Sequence, residues 1–306
     1  MAQRADKIRY CKALKERLIR ESRSDLLRFT LATMPTFRPA DFHRRYYKVL
    51  TDFAQGKIRK LMVFMPPQHG KSEGSTRRLP AFLLGNDPEK RLAIVSYNAP
   101  KARKFNREIQ RIIDTPEYHE IFPETNLNAA NVTTIAGSWL RNADECEIVG
   151  HRGSFKTVGV GGALTGEPVD ILIMDDIYKD AKTAWSPIVR ESVSDWYDTV
   201  AETRLHNESQ QLIVFTRWHE DDLAGTLLRQ QGVYDPKDNP DGWVVVVYKA
   251  IKEGKPTEYD PRKEGEALWE ERHSLKKLQA IRKRNPQVFE SLYQQDPQPR
   301  AGLMYE

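Results

Sequence analysis

Residues 61–74 read LMVFMPPQHGKSEG. Leu61 to Met65 is an apolar run long enough for a buried strand. Two prolines, Gly70, Lys71 and Ser72 follow, and then polar residues able to open a helix. A strand, a tight loop and a helix N-terminus make a phosphate cradle. Backbone N–H groups and the helix dipole face the anion, a lysine neutralises the β/γ-phosphates, and a hydroxyl ligates Mg²⁺. The full G-x-x-x-x-G-K-S/T pattern would place glycine where Met65 stands, so only Gly70-Lys71-Ser72 matches. Alone, that tripeptide also suits a surface loop after a strand.

About a hundred residues on, Val169 to Met174 (VDILIM) is a second apolar run, ending in Asp175-Asp176. A parallel strand buried on both faces reads this way, and its carboxyl end is where an open α/β sheet keeps its ligands. Nucleotide hydrolysis needs one carboxylate for the Mg²⁺ shell and another to position or activate the attacking water. An isolated Asp-Asp is also an ordinary acidic turn. The combination of GKS after a strand, a carboxylate pair after a strand and the spacing between them points to a P-loop NTPase, with ATP as substrate and Mg²⁺ as cofactor.

Composition sets the compartment. A chain of 306 residues can bury a substantial core, as one α/β domain with an appendage or as two small domains. Cys11 and Cys146 lack metal-type spacing, which fits a reducing cytosol. The N-terminus is too charged for a signal peptide, and no run approaches ~18 apolar residues, so no membrane span is expected. Residues 1–60 hold sixteen Lys/Arg and six Asp/Glu, a net of +10, which leaves −5 for the remaining 246. A basic end invites a polyanion, or is a solvated helix face.

Alternating patterns follow along the chain. Helical periodicity covers 3–33, with Ile8, Cys11, Leu14, Leu18, Leu26, Leu27 and Leu31 on apolar positions, and a kink near Ser22–Ser24, where Ser24 can cap a second helix. Asp41 can cap a helix through Phe53. Strands are expected at 61–65, 91–96, near 132–135, 146–149 and 155–160, and at 169–174 and 210–215. Helices are expected at 71–84, 100–114 and 187–204, from about Glu220, and at 274–284 and 286–295. Such alternation implies a mostly parallel sheet flanked by helices. Val158–Gly166 (VGVGGALTG) lets backbone approach a nucleotide or DNA closely, or is a plain turn.

Thr216-Arg217-Trp218-His219-Glu220-Asp221-Asp222 follows the strand at 210–215, whose tip belongs beside the P-loop strand or the Asp-Asp strand. There Thr216 can sense the γ-phosphate and Arg217 can stabilise charge or transmit the change. His219 with the adjacent acids and Asp175/Asp176 also permits a two-metal nuclease. Acidic residues in a first helical turn are, however, ordinary capping chemistry.

PPQHGKSE (66–73), GVGGALTGEPVDILIMDD (159–176), DWYDTVAETRL (195–205), TRWHEDDLAG (216–225) and LYQQDP (292–297) occur in that order. Over roughly 35–300 the chain resembles the ATPase half of the large terminase subunit of tailed bacteriophages. The resemblance implies a RecA-like P-loop NTPase fold of the additional-strand type with a small lid subdomain. It implies ATP hydrolysis driving double-stranded DNA into a procapsid, in the host cytoplasm and transiently at the portal vertex. The partners it implies are DNA, the portal protein, a small terminase subunit and further copies in a ring. The domains would be a basic helical segment with an adenine-side motif (1–56), the ATPase core (57–231) and the lid with the start of a linker (232–306).

Residue by residue, the resemblance implies that Pro67, Gln68, His69, Gly70, Lys71, Ser72 and Glu73 form the nucleotide loop. Ser72 and Asp175 would hold the metal, and Asp176 would orient the attacking water. Thr216 and Arg217 would couple hydrolysis to the lid, and His43 or Arg38 would contact the base. Gln68 stands where related loops often carry arginine, and Asp176 where glutamate is common. Thr165-Gly166 replaces an Arg-Gly whose arginine can act in trans. Arg152 is the first candidate for that role, followed by Arg141 and Arg204. The chain stops at RAGLMYE, about where such subunits continue into a nuclease, so DNA cutting is not expected of it. A helicase-type or repair ATPase and a non-hydrolysing nucleotide-binding scaffold are the alternative readings.

Overall fold

The computed structural model describes residues 2–133, 138–164, 166 and 168–297, without the side chains of 2–9 and 11. The end of the strand expected near 132–135, Thr165, the apolar positions Ile8 and Cys11, and the terminal RAGLMYE lie outside that description. Seven strands form one sheet: β1 (Lys60–Phe64), β2 (Arg91–Ser96), β3 (Glu145–Glu147), β4 (Ser154–Gly159), β5 (Val169–Asp175), β6 (Leu205–Phe215) and β7 (Val244–Val247). Their order is β3-β4-β2-β5-β6-β1-β7, and every neighbouring pair is parallel except β3 with β4. β6 is therefore the strand inserted between β1 and β5.

The apolar runs are continuous because both faces of the sheet are covered. Leu61, Val63, Leu92, Ile94, Ile171, Ile173, Leu212 and Val214 face one core. Their neighbours Met62, Phe64, Ala93, Val95, Leu172, Met174, Ile213 and Phe215 face the other. The first core is covered by α2 (Leu26–Thr33), α3 (Asp41–Ala54), α4 (Leu79–Asn86), α5 (Ala99–Ile113) and α6 (Pro116–Ile121), after the long α1 (Ala2–Ser24). The second lies under α8 (Pro187–Trp196), which follows the short α7 (Ala181–Trp185), and under α9 (Leu223–Gln231). α10 (Leu275–Arg284) and α11 (Pro286–Leu292) enclose a small third cluster of Ala250, Ile251, Leu278 and Phe289. No helix among the described residues is long and apolar enough to cross a membrane.

Several expected boundaries move. Asp25, not Ser24, caps α2 by accepting from the Arg28 N–H. Asp41 is the first residue of α3 rather than its cap, and the His43 ring accepts the Ala40 N–H instead. The helix after the P-loop passes through a π-helical stretch, Glu73–Arg78, before α4. β6 begins at Leu205, which pairs with Val169; residues 206–209 then step out of the ladder at a register shift, and pairing with β5 resumes at Gln210. α9 starts at Leu223, capped by Asp222. A boundary at residue 56 is not a gap in packing: Leu26, Phe29, Tyr46, Leu50 and Phe53 share one core with Leu61 and Val63.

Gly85 in α4 admits the Phe122 ring, since a Cβ there would sit 2.3 Å from it. Phe122 is itself buried, so it has little room to yield. Gly85→Ala should lower stability by about 1–3 kcal/mol through overpacking, in spite of the ~1 kcal/mol alanine gains in a helix. Urea unfolding midpoints of the two proteins check this.

Candidate functional site: the phosphate loop and its carboxylates

The register aligns Phe64 with Phe215 and Asp175 with Val214, so β1, β5 and β6 end at one level. The loop Met65–Ser72 leaves β1 there. It turns through two left-handed residues, Gln68 (φ 64°) and Gly70 (φ 82°). Gly70 suits its conformation, whereas Gln68 is held in a strained one.

α3 supports this loop from beneath. His43 Nδ1 accepts from the Ala40 N–H at 3.0 Å, so its Nε2 carries the proton and donates to His69 O at 3.1 Å. Tyr46 Oη donates to Lys71 O at 2.7 Å, and Ser75 Oγ donates to the same carbonyl at 2.9 Å. His69 Nδ1 bonds Pro67 O at 2.8 Å, and its ring stacks on His273 with centroids 4.4 Å apart. Gly74 lets Tyr46 approach, because a Cβ there would lie 2.9 Å from the tyrosine ring.

The ionised groups converge above. Lys71 Nζ donates to Thr216 Oγ1 at 3.0 Å and lies 3.3 Å from Asp176 Oδ2. Thr216 Oγ1 donates in turn to Met65 O at 3.2 Å, tying the tip of β6 to that of β1. Asp175 has no exposed surface. Ser72 Oγ donates to its Oδ1 at 3.1 Å, and Thr76 Oγ1 donates to its Oδ2. Burial, reinforced by the charge of Asp176 and opposed by Lys71, pushes the Asp175 carboxyl up to about 6. Asp176 turns out of β5 in a left-handed conformation (φ 46°) that carries its half-buried carboxylate to Lys71.

The remaining candidates are placed elsewhere. Both His43 ring nitrogens are engaged within the chain, and through them His43 supports the loop. Arg38 bonds the carbonyls of Pro35 and Phe37. The Glu73 carboxylate pairs with Arg78 at 2.8 Å and Arg77 at 3.6 Å rather than turning into the loop. Arg217 stacks its guanidinium over Phe64 at 4.9 Å and pairs with the buried Asp222 at 2.7 Å. Asp222 caps α9 through the Gly225 N–H, and His219 Nδ1 accepts from Asp221 N–H while its ring meets Trp185. That segment is a folded turn, and among the described residues no three His, Cys, Asp or Glu gather to hold a metal. The glycine-rich stretch leaves β4, two strands from β5, and is tied down by Trp196 on Gly162 O and Arg204 on Leu164 O.

Tyr46, Thr76 and Gln295 escaped the sequence reading. Thr76 follows Ser72 by four residues, a spacing that puts two hydroxyls on one helical face. Tyr46 offered no local signal, since its partner lies 25 residues away.

A mostly parallel sheet, an extra strand between the P-loop strand and the acidic strand, and a loop lysine paired with one of two carboxylates at the end of that acidic strand define the additional-strand, RecA-like class of P-loop proteins. The family model described as terminase large subunit, T4likevirus-type, N-terminal, matches residues 62–286, and the chain belongs to that family. The crystal structure of the HK97 bacteriophage large terminase superposes with a TM-score of 0.50 at 13% identity, covering 86% of this chain and 52% of that one. The chain thus spans about half the length of the HK97 protein. The large terminase ATPase domain of Thermus phage P74-26 gives 0.44 at 16% identity, over 85% of this chain and 99% of that one. The large terminase of the thermophilic bacteriophage D6E, in complex with ADP, gives 0.40 at 12% identity, over 67% and 45%. No curated protein matches the chain.

Burial holds His43 down at about 4 and His69 at about 3. A histidine depressed in the folded state leaves the unfolded chain to take up protons first. Its contribution is therefore complete above pH ~6.5 and is lost as pH falls from 6.5 towards 4. His43→Gln keeps an acceptor for the Ala40 N–H but does not titrate. Between pH 6.5 and 4 the wild type should lose about 3 kcal/mol more unfolding free energy than this variant. Urea titrations at stepped pH give the difference, and parallel curves would contradict a neutral, locked His43.

Proposed function

We propose that this chain is the ATP-hydrolysing half of a viral DNA-packaging motor, driving double-stranded DNA into a procapsid. The observation that carries the reading is Lys71, held between Thr216 and Asp176 beside the Ser72–Asp175 pair at three aligned strand ends. In the structure the ammonium has Asp176 as its counter-charge. Triphosphate in the loop replaces that partner, and Asp176 is then released to orient the attacking water and accept its proton. The buried Asp175 and the Ser72 hydroxyl form a hard-oxygen donor set suited to Mg²⁺, and a cation would offset the burial that raises the Asp175 carboxyl. A cation held there would supply positive charge against the nucleotide phosphates. Gln68, whose carbonyl faces His273 at 3.5 Å, and His69 shape the loop.

The motor acts in the host cytoplasm, as a ring docked on the portal, with DNA chosen by a small terminase subunit. Arg152 is the arginine best placed to act on a neighbouring copy. Its side chain is 86% exposed and pairs with Glu89 at 2.9 Å, whereas Arg141 is 15% exposed and bonded to Asp114, Gln110 and Asn128. Arg152 precedes β4, at the opposite end of the sheet from Lys71, so it serves only another copy's site.

Steady-state hydrolysis with Mg²⁺, across protein concentration and with duplex DNA, tests the assignment. Activity should rise more than linearly with concentration. It should fall by about 10²-fold or more in Lys71→Ala and about 10²–10⁴-fold in Asp176→Asn. Unchanged turnover in Asp176→Asn would remove the role given to that carboxylate. Arg152→Ala should leave nucleotide affinity intact and abolish the concentration-dependent part of the rate. A variant that keeps it would exclude Arg152 as the trans group.

A further inference from the structure

Two consecutive glutamines after α11 face opposite ways. Gln294, fully buried, grips the small third cluster: its Oε1 accepts from Ile251 N–H at 3.0 Å and its Nε2 donates to Ile251 O at 2.9 Å. Tyr293 O accepts from the Ala250 N–H at 2.7 Å, so both Ala250 and Ile251 are fastened to this turn. Gln295 instead reaches the phosphate site. Its Oε1 accepts from the Arg217 N–H at 3.1 Å, while its Nε2 donates to Leu292 O at 2.5 Å.

Arg217 is the residue after Thr216, whose hydroxyl holds Lys71. The Arg217 side chain is committed to Asp222 and Phe64, so its backbone amide is the group presented to the C-terminal turn. Gln295 is 6% exposed and sits at φ 60°, a left-handed conformation that a non-glycine residue keeps only when its surroundings enforce it. A buried carboxamide on a strained backbone thus joins the tip of β6 to the turn that follows α11.

We propose that Gln295 is the positioning residue that carries the state of the phosphate site, through Thr216 and the Arg217 amide, to the C-terminal helical unit of α10, α11 and Ala250–Ile251. This rests on the nucleotide reading given above. When Lys71 turns to a phosphate, Thr216 Oγ1 loses its lysine partner and keeps only Met65 O, and the residues just beyond the strand end, Thr216 and Arg217, readjust. Gln295 transmits that shift to α11, and Gln294 passes it to Ile251.

The test is hydrogen exchange with and without a non-hydrolysable ATP analogue and Mg²⁺, beside a fluorescent-nucleotide titration. Gln295→Gly removes the carboxamide and relieves the positive φ, so the backbone need not distort. Gln295→Glu keeps the acceptor for the Arg217 N–H. In the wild type, analogue should change exchange at 216–223 and at 275–297 together. In Gln295→Gly the first response should persist and the second vanish, with nucleotide affinity within about twofold and DNA stimulation of hydrolysis down at least about fivefold. Gln295→Glu should restore part of both losses. A wild type that binds analogue with no response at 275–297, or a glycine variant that responds as the wild type does, overturns the inference. Failure of the wild type to bind nucleotide at all would instead overturn the functional reading, and the titration separates the two.

Discussion

Lys71 lies almost buried between Thr216 and Asp176, next to a second carboxylate, Asp175, that is wholly inside the protein, and the surrounding architecture serves to make that arrangement tolerable. Charges taken from water are costly unless each finds a partner and further hydrogen bonds. The partners come from three separate elements. Ser72 and Thr76 donate to Asp175 from the helix that follows the loop, Thr216 accepts from Lys71 at the end of β6, and Asp176 leaves β5 through a strained turn to meet the ammonium. The groups satisfy one another, so under the function proposed above a polyphosphate would enter by an exchange of partners rather than by simple addition, and would displace whatever the old partners were holding.

The sheet makes the exchange local. Its four central strands, β2, β5, β6 and β1, alternate side chains between two filled cores, and interiors packed in that way transmit force without deforming much. Because β6 is inserted between β1 and β5, its tip is the one strand end that neighbours both the P-loop strand and the acidic strand. Thr216 is bonded to Met65 O on one side and to Lys71 on the other. Outside that slab, the C-terminal turn and its small cluster meet the tip of β6 through Gln295.

Much of this was legible in the chain. Apolar runs ending in GKS and in Asp-Asp announce strands buried on both faces with ligands at their carboxyl ends, and the structure has β1 and β5 there. The inserted strand was legible only as a further apolar run, 210–215; its start at Leu205 was not, since that residue is held by pairing with Val169 across a register shift that no periodicity announces. The support that His43 gives the loop was hidden for a related reason. A histidine near a nucleotide motif is ambiguous until its two ring nitrogens are placed, and here Ala40 and His69 take both. Glu73, adjacent to the motif in sequence, is turned away by Arg77 and Arg78. Gln295 belonged to a recognised motif, LYQQDP, but its partner lies 78 residues off, where no periodicity reaches.

The two supports of the loop differ in kind. From α3 come His43 and Tyr46, both buried and both neutral, with the histidine held well below and the tyrosine well above its ordinary titration range. Neutral hydrogen bonds to the carbonyls of His69 and Lys71 have no direct response to charge arriving on the other side of the loop, so this face is a fixed anvil. From β6 and β5 come Thr216 and Asp176, which meet the Lys71 ammonium itself and must respond when its counter-charge changes. A displacement that begins at Lys71 is blocked towards α3 and open towards β6. The Arg217 amide is the next atom group along that open side, and a carboxamide from the C-terminal turn is bonded to it. The direction of any mechanical output is thus set by which partners of the loop are charged and which are not.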